Sequence, residues 1–184
     1  LSDKEKEPYR YLVPWAGEFV GKYLTGAVQL HRLNGDPELK KVIDSFVGKL
    51  AEAQEDNGYL GPWPKEYELS CNVPKELFNG WAESNWDLWG HYHLMLGLTF
   101  WYEDTGNEQA LDVAKKIADL LCDKYLGKPG VLAKITDAYT NLSPGHSLFL
   151  LYKVTNNEKY LRLAKQIVEQ EIPQSVDYVN FALS

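Results

Sequence analysis

Between Trp81 and His93 the chain places four Trp or Tyr rings, two histidines and two carboxylates within thirteen positions, Trp81-Ala82-Glu83-Ser84-Asn85-Trp86-Asp87-Leu88-Trp89-Gly90-His91-Tyr92-His93. Aromatic faces beside imidazoles and carboxylates suit a sugar, because the rings cover its C–H faces while the polar groups bond its hydroxyls. The same rings at helical spacing also suit a core, so Trp86 and Trp89 stand between core and site. His91 and His93 are two residues apart, which on a helix is about 200° of rotation. They therefore do not ligate one ion as an i, i+4 pair would, and only one of them faces the side where a ligand could sit. Asp87, three beyond Ser84, has the spacing of a capping box, a structural reading that competes with a catalytic one.

Three further residues share the end of the molecule to which this segment belongs. Glu18 opens a helix, where a carboxylate complements the dipole or meets a ligand. Ser143-Pro144 reads as an N-cap and first helical position, which places His146 in the first turn of another helix near Tyr139. The candidate substrate-binding residues are thus His93, Trp89, Trp86, Glu18, Tyr139 and His146, with no catalytic residue and no metal ligand assigned. Cys71 and Cys122, the two cysteines, form neither a C-x-x-C pair nor a His/Cys cluster, and read as unpaired thiols, one in a loop and one in a helix.

The elements that position these residues are written as a repeat. Asn34-Gly35-Asp36, Gly106-Asn107-Glu108 and Asn156-Asn157-Glu158 each join an apolar, aromatic helix to a charged, one-sided one. The apolar inner helices are 18–33, 86–102 and 144–154, and the outer helices are 37–54, 109–125 and 159–170. One stripe of each outer helix is apolar: Leu39, Val42, Ile43, Phe46, Val47 and Leu50; Leu111, Ala114, Ile117, Ala118 and Leu121; Leu161, Ala164, Ile167 and Val168. Asp36-Pro37, Thr105-x-x-Glu108 and Thr155-x-x-Glu158 supply start signals. Inner helices that are apolar nearly all round are expected to be buried on most sides, with Gly17, Gly21, Gly90 and Gly97 allowing close approach. The turns within hairpins are short, whereas the connections 55–85 and 126–143 are long for helix-to-helix links. Both long loops therefore lie at the end where the inner helices begin, and their free N–H groups place any ligand site there. The Gly58-Tyr59-Leu60-Gly61-Pro62-Trp63-Pro64 run is too stiff and aromatic to be a flexible linker.

Composition agrees with one packed domain and excludes other partners. The 184 residues carry 45% hydrophobic content and a net charge of −7, with both signs scattered along the helices, which argues against nucleic acid. No stretch approaches the roughly 20 apolar residues needed to cross a bilayer, so no membrane partner is expected.

Gly17-Glu18-Phe19-Val20-Gly21-Lys22-Tyr23-Leu24, Gly35-Asp36-Pro37-Glu38-Leu39 and the run from Leu50 through Gln54 to Gly58-Tyr59-Leu60-Gly61 resemble the N-terminal part of the β-L-arabinofuranosidase-like glycoside hydrolases, glycoside hydrolase family 127 and its relatives. The resemblance continues through Trp86–His93 and the helices after Gly106 and Asn156. It implies an all-α fold of stacked hairpins, residues 1–184 being one partial domain, about half of an (α/α)6 toroid whose remaining half is its partner. It also implies a glycosidase acting on an oligosaccharide or glycoside, with His93 in the position of a sugar-binding His. Tyr92 stands where one version of the pattern has Gly, and His146 matches a second sugar-binding His displaced by about one turn. The family's acid/base Glu and zinc-bound cysteine nucleophile lie further along its chain than residue 184, so zinc belongs to the complete enzyme, which would act by two displacements with retention. Two other readings stand beside it: a two-carboxylate hydrolase on the same toroid, and a helical-repeat protein- or glycan-binding module without catalysis, although the long loops at one end fit a solenoid poorly. Three hairpins of a ring leave two apolar flanks bare, so residues 1–184 expressed alone are expected to self-associate. A monodisperse monomer with one sharp unfolding transition, seen by sedimentation and calorimetry, would contradict this.

Overall fold

Every hairpin turn is built by the same backbone device. The last helical turn is closed by a residue in the left-handed region, Gly35 (φ 62°), Gly106 (φ 67°) or Asn156 (φ 53°), whose N–H donates to the carbonyl of His31, Tyr102 or Tyr152. The next residue caps the following helix with its side chain. Asp36 accepts from the Glu38 and Leu39 N–H groups, Asn107 from Ala110 and Asn157 from Lys159. The residue before the left-handed one accepts in turn from the capping residue's N–H: Asn34 Oδ1, Thr105 Oγ1 and Thr155 Oγ1. The capping boxes expected at Thr105 and Thr155 are thus not formed. Their hydroxyls donate to the carbonyls of Trp101 and Leu151 one turn back, and an Asn takes the cap.

The fold is a computed structural model that describes residues 13–70, 73, 74, 76, 84–132 and 139–171. The α-helices whose bounds lie within the described residues are α1 (Glu18–Asn34), α2 (Pro37–Ala53), α3 (Asp87–Thr105), α4 (Glu108–Tyr125), α5 (Pro144–Thr155) and α6 (Glu158–Gln166). Helices α1, α3 and α5 form an inner layer with α3 in the middle, and α2, α4 and α6 lie outside. No strand occurs among the described residues, and none of the described helices is long and apolar enough to cross a membrane. The expectation of stacked helical hairpins is met.

Burial follows position in the layer rather than apolarity. Helix α3, flanked on both sides, buries Leu88, Gly90, His91, the run from Leu94 to Thr99, and Trp101. Helix α1 packs on α3 but bares the face carrying Phe19, Tyr23, Leu30 and Leu33, the last 86% exposed. The expectation that all inner helices are buried on most sides therefore fails for α1, which has an inner neighbour on one side only among the described residues. On α2, Val42 is half exposed. The α6 stripe is also corrected: Tyr160, Leu163, Ala164 and Ile167 are buried, while Val168 points out. There the helix widens into a π turn at Ile167–Glu171, which rotates the last residues away from α-helical register.

Glycine sets how closely α1 meets α3. A Cβ on Gly21 would lie 2.5 Å from the His93 carbonyl carbon and the Leu94 nitrogen, and one on Gly97 would lie 2.9 Å from the Leu24 side chain. Gly90 faces Gly17 at the start of α1, whereas Gly17 itself meets Pro62 of the first long loop. The close crossing fixes the height of His93 against the first turns of α1. Gly21→Ala is accordingly expected to destabilise the protein by about 1–3 kcal/mol through overpacking. Gly26→Ala, on the same helix with nothing within 4 Å of the new methyl group, is expected to stabilise by roughly 0.4–1 kcal/mol. Chemical denaturation of the two variants checks the pair.

Candidate functional site

The two long loops are fastened to the start of α3 by buried polar side chains. Asp87, 1% exposed, accepts from the Tyr59 hydroxyl at 3.0 Å and from the Leu69 N–H at 2.8 Å, and its other oxygen lies 3.3 Å from His91 Nδ1. The capping role expected from Ser84 is taken by Asn85, whose Oδ1 accepts from the Asp87 N–H, while its amide donates to the Tyr67 carbonyl. From the second long loop, the fully buried Asn141 accepts from the Trp89 N–H at 3.3 Å and donates to the Asn85 carbonyl at 2.8 Å. N–H groups expected to face a ligand at α3 are therefore already used, at Asp87 and Trp89. Sequence reasoning passed over Asn85 and Asn141; an Asn directly before an apolar helix was the available signal for the first, and the second lies too far along the chain to show one.

His91 belongs to this fastening. It is buried, its Nδ1 lies 2.8 Å from the Asp87 carbonyl, and its Nε2 accepts from the Leu60 N–H at 3.3 Å. Burial opposes a charge on the ring and Asp87 favours one, the net pull being upward. The Leu60 N–H requires a lone pair on Nε2, so the geometry holds the neutral tautomer with its proton on Nδ1. The Gln54-to-Gly61 run serves the same end. Gln54 donates to the carbonyls of Gly58 and Val113, Gly58 (φ 92°) leaves no room for a Cβ against the Lys116 carbonyl, and a Cβ on Gly61 would strike the Tyr59 ring. Tyr125 and Lys124 of α4 donate to the carbonyls of Leu69 and Glu68, tying the loop to the outer layer.

Above this base, three inner helices bring side chains together. Trp89 Nε1 donates to Glu18 Oε2 at 2.5 Å, and Glu18 Oε1 pairs with Lys22 at 3.2 Å. The Lys22 ammonium lies 5.6 Å over the Trp89 ring. His93 meets the Trp89 ring edge-on at 4.5 Å and the Tyr92 ring at 4.7 Å, and the Tyr92 hydroxyl lies 3.3 Å from Nδ1 of His146 on α5. Both nitrogens of His93 are closed off from solvent and have no hydrogen-bond partner among the described residues. Burial, then the Lys22 charge, hold its pKa below the ordinary 6.5, with Glu18 pulling the other way.

Of the sequence candidates, Glu18, Trp89, His93 and His146 meet in this cluster, with Tyr92 and Lys22 as members that spacing did not single out. Trp86 sits apart, its ring 5.8 Å from Trp15. Tyr139 opens the short turn Tyr139–Leu142; its side chain, like Trp81, Glu83 and Cys71, lies outside the described residues. His91 and His93 do face different ways, as their spacing requires. The described residues do not fit a zinc site: no three His, Cys, Asp or Glu among them converge. Cys122 in α4 is buried, lies 3.7 Å from the Lys159 carbonyl, and has its thiol pushed up to about 12 by burial.

Two measurements test this geometry. Tyr59→Phe removes one donor to buried Asp87 and is expected to lower stability by about 1–3 kcal/mol, read by denaturation. In an NMR titration His93 is expected to have its midpoint below 6.5, and Lys22→Gln to move it upward, since a nearby positive charge disfavours imidazolium.

The chain matches the profile of the beta-L-arabinofuranosidase GH127 catalytic domain over residues 3–181. It is 31% identical over 150 residues to the non-reducing end β-L-arabinofuranosidase of Bifidobacterium longum, covering 82% of this chain but 22% of that protein. Its structure is similar to that of a GH127 β-arabinofuranosidase, with TM-score 0.66 and 26% identity over 89% of this chain and 26% of the other. A GH127 β-L-arabinofuranosidase from Geobacillus stearothermophilus T6 has the same fold, with TM-score 0.65 and 24% identity over 88% of this chain and 24% of the other. The chain thus spans about a quarter or less of the relatives it matches, and the all-α hairpin stack with its Gly58-to-Gly61 anchor belongs to the GH127 β-L-arabinofuranosidase catalytic-domain family.

Proposed function

We propose that these residues form one wall of the sugar pocket of a glycoside hydrolase acting on a terminal sugar, an arabinofuranoside being the first to test. The observation that carries this is His93: an imidazole whose two desolvated nitrogens have no hydrogen-bond partner among the described residues, beside the Trp89 ring, near where the inner helices begin. A buried polar group without a partner is costly, and a sugar hydroxyl would satisfy it. Trp89, held by Glu18, offers a ring to the sugar's C–H face, and Lys22 and His146 supply further donors. Family membership and the relatives' names support the substrate class. The acid–base and nucleophilic groups are assigned to residues beyond this segment, where the remaining part of the toroid and any zinc belong.

In this reading Asp87 is not the general acid, since its carboxylate is occupied beneath the loop by Tyr59 and Leu69. The test uses the full-length protein and p-nitrophenyl β-L-arabinofuranoside. His93→Ala is expected to weaken sugar binding by about 1–3 kcal/mol, the range for losing one partner of a buried hydrogen bond. His91→Ala is expected to act on thermal stability instead, because it releases the Leu60 N–H. Equal losses of sugar binding in the two variants, or no turnover of any glycoside by the parent protein, would overturn the assignment.

A further inference from the structure

The two ring nitrogens of His93 are closed off from solvent, with α1 at Gly21 against its backbone and two rings of its own helix against its side chain. Trp89 meets it edge-on and Tyr92 lies 4.7 Å from it between α3 and α5. These rings differ in how firmly they are held. The Trp89 indole donates to Glu18, itself buried and paired with Lys22. Tyr92 is only partly buried, and its hydroxyl meets the exposed His146 at 3.3 Å. Trp89 is fixed by a buried carboxylate, whereas Tyr92 lies against the rings of Trp89, His93 and His146 and is hydrogen-bonded at its tip.

Resting on the reading of His93 as a sugar-contacting residue, we propose that Tyr92, latched by His146, is a gate over His93 that a sugar must displace to bind. The closed arrangement leaves both imidazole nitrogens desolvated and without a partner among the described residues, an arrangement disfavoured in itself and relieved when a ligand hydroxyl arrives. Swinging the Tyr92 ring outward gives up one partly exposed hydrogen bond and its contacts with the Trp89 and His93 rings, and it opens the side of His93 that Tyr92 covers without disturbing the Asp87 base. Because only the open fraction binds, the latch lowers the apparent affinity by that fraction, which makes Tyr92 and His146 positioning residues for access rather than catalytic ones. A sugar small enough to slip beside the ring gains least from its removal.

The test reads His93 directly, in the full-length protein, by the rate of its modification with diethyl pyrocarbonate resolved to single residues by mass spectrometry. Tyr92→Ala is expected to raise that rate by about tenfold, and His146→Ala and Tyr92→Phe by about threefold, as the open fraction grows. His91, buried on another face, should stay unreactive throughout and so reports on folding. His146 is exposed, so its truncation keeps the test valid if Tyr92→Ala folds poorly. L-Arabinose should protect His93 at lower concentration in the Tyr92 variants than in the parent. Equal His93 rates in all variants, or His91 becoming reactive together with His93, would overturn the gate even where arabinose protects. Graded rates without protection by arabinose would support the gate and count against the sugar reading alone.

Discussion

A carboxylate removed from water must be surrounded by donors, and Asp87 meets that requirement by drawing the first long loop onto itself at two points. Tyr59 and Leu69 come from the first long loop, and His91 comes from the next turn of the same helix. Through His91 the Leu60 N–H is also held. The loop therefore keeps a single path over the start of α3, and Pro62 in it sets the position of Gly17 at the head of α1. The cluster of Glu18, Trp89 and His93 sits on that foundation. Breaking the Asp87 contacts would loosen the loop before it touched any ring of that cluster.

Much of this architecture was legible in the sequence because short-range rules write it. The three turns show their left-handed residue and capping side chain in three consecutive letters, and the α4 stripe of Leu111, Ala114, Ile117, Ala118 and Leu121 is buried throughout. What pattern could not show was which flank of an apolar helix would find a neighbour. Phe19, Tyr23, Leu30 and Leu33 have the spacing of a buried face and are exposed, since burial depends on where a helix stands in its layer. The Val168 error has a local cause, the π turn, which shifts register without a sequence mark.

At the site, residue types and spacing were enough to set His91 and His93 on different sides of α3. They did not reveal that Asn85 and Asn141 would occupy N–H groups at the head of α3, because that arrangement joins two loops far apart in sequence. Nor did spacing distinguish Trp86, which packs on Trp15, from Trp89, which is drawn to Glu18. Both tryptophans lie in the same stretch. Only the crossing of α1 over α3 decides between them.

That crossing also orders events during folding. The turns at Gly35, Gly106 and Asn156 join neighbours in the chain, so each hairpin can form from local contacts on a fast timescale. Docking α1 against α3 instead joins segments separated by the whole first loop, and its glycines allow contact only when the two backbones are already in register. Ordering that loop around Asp87 shortens the effective distance to be closed. The search is then slowest at the helix pair that carries Glu18, Trp89 and His93, while the hairpin ends behind it are settled early.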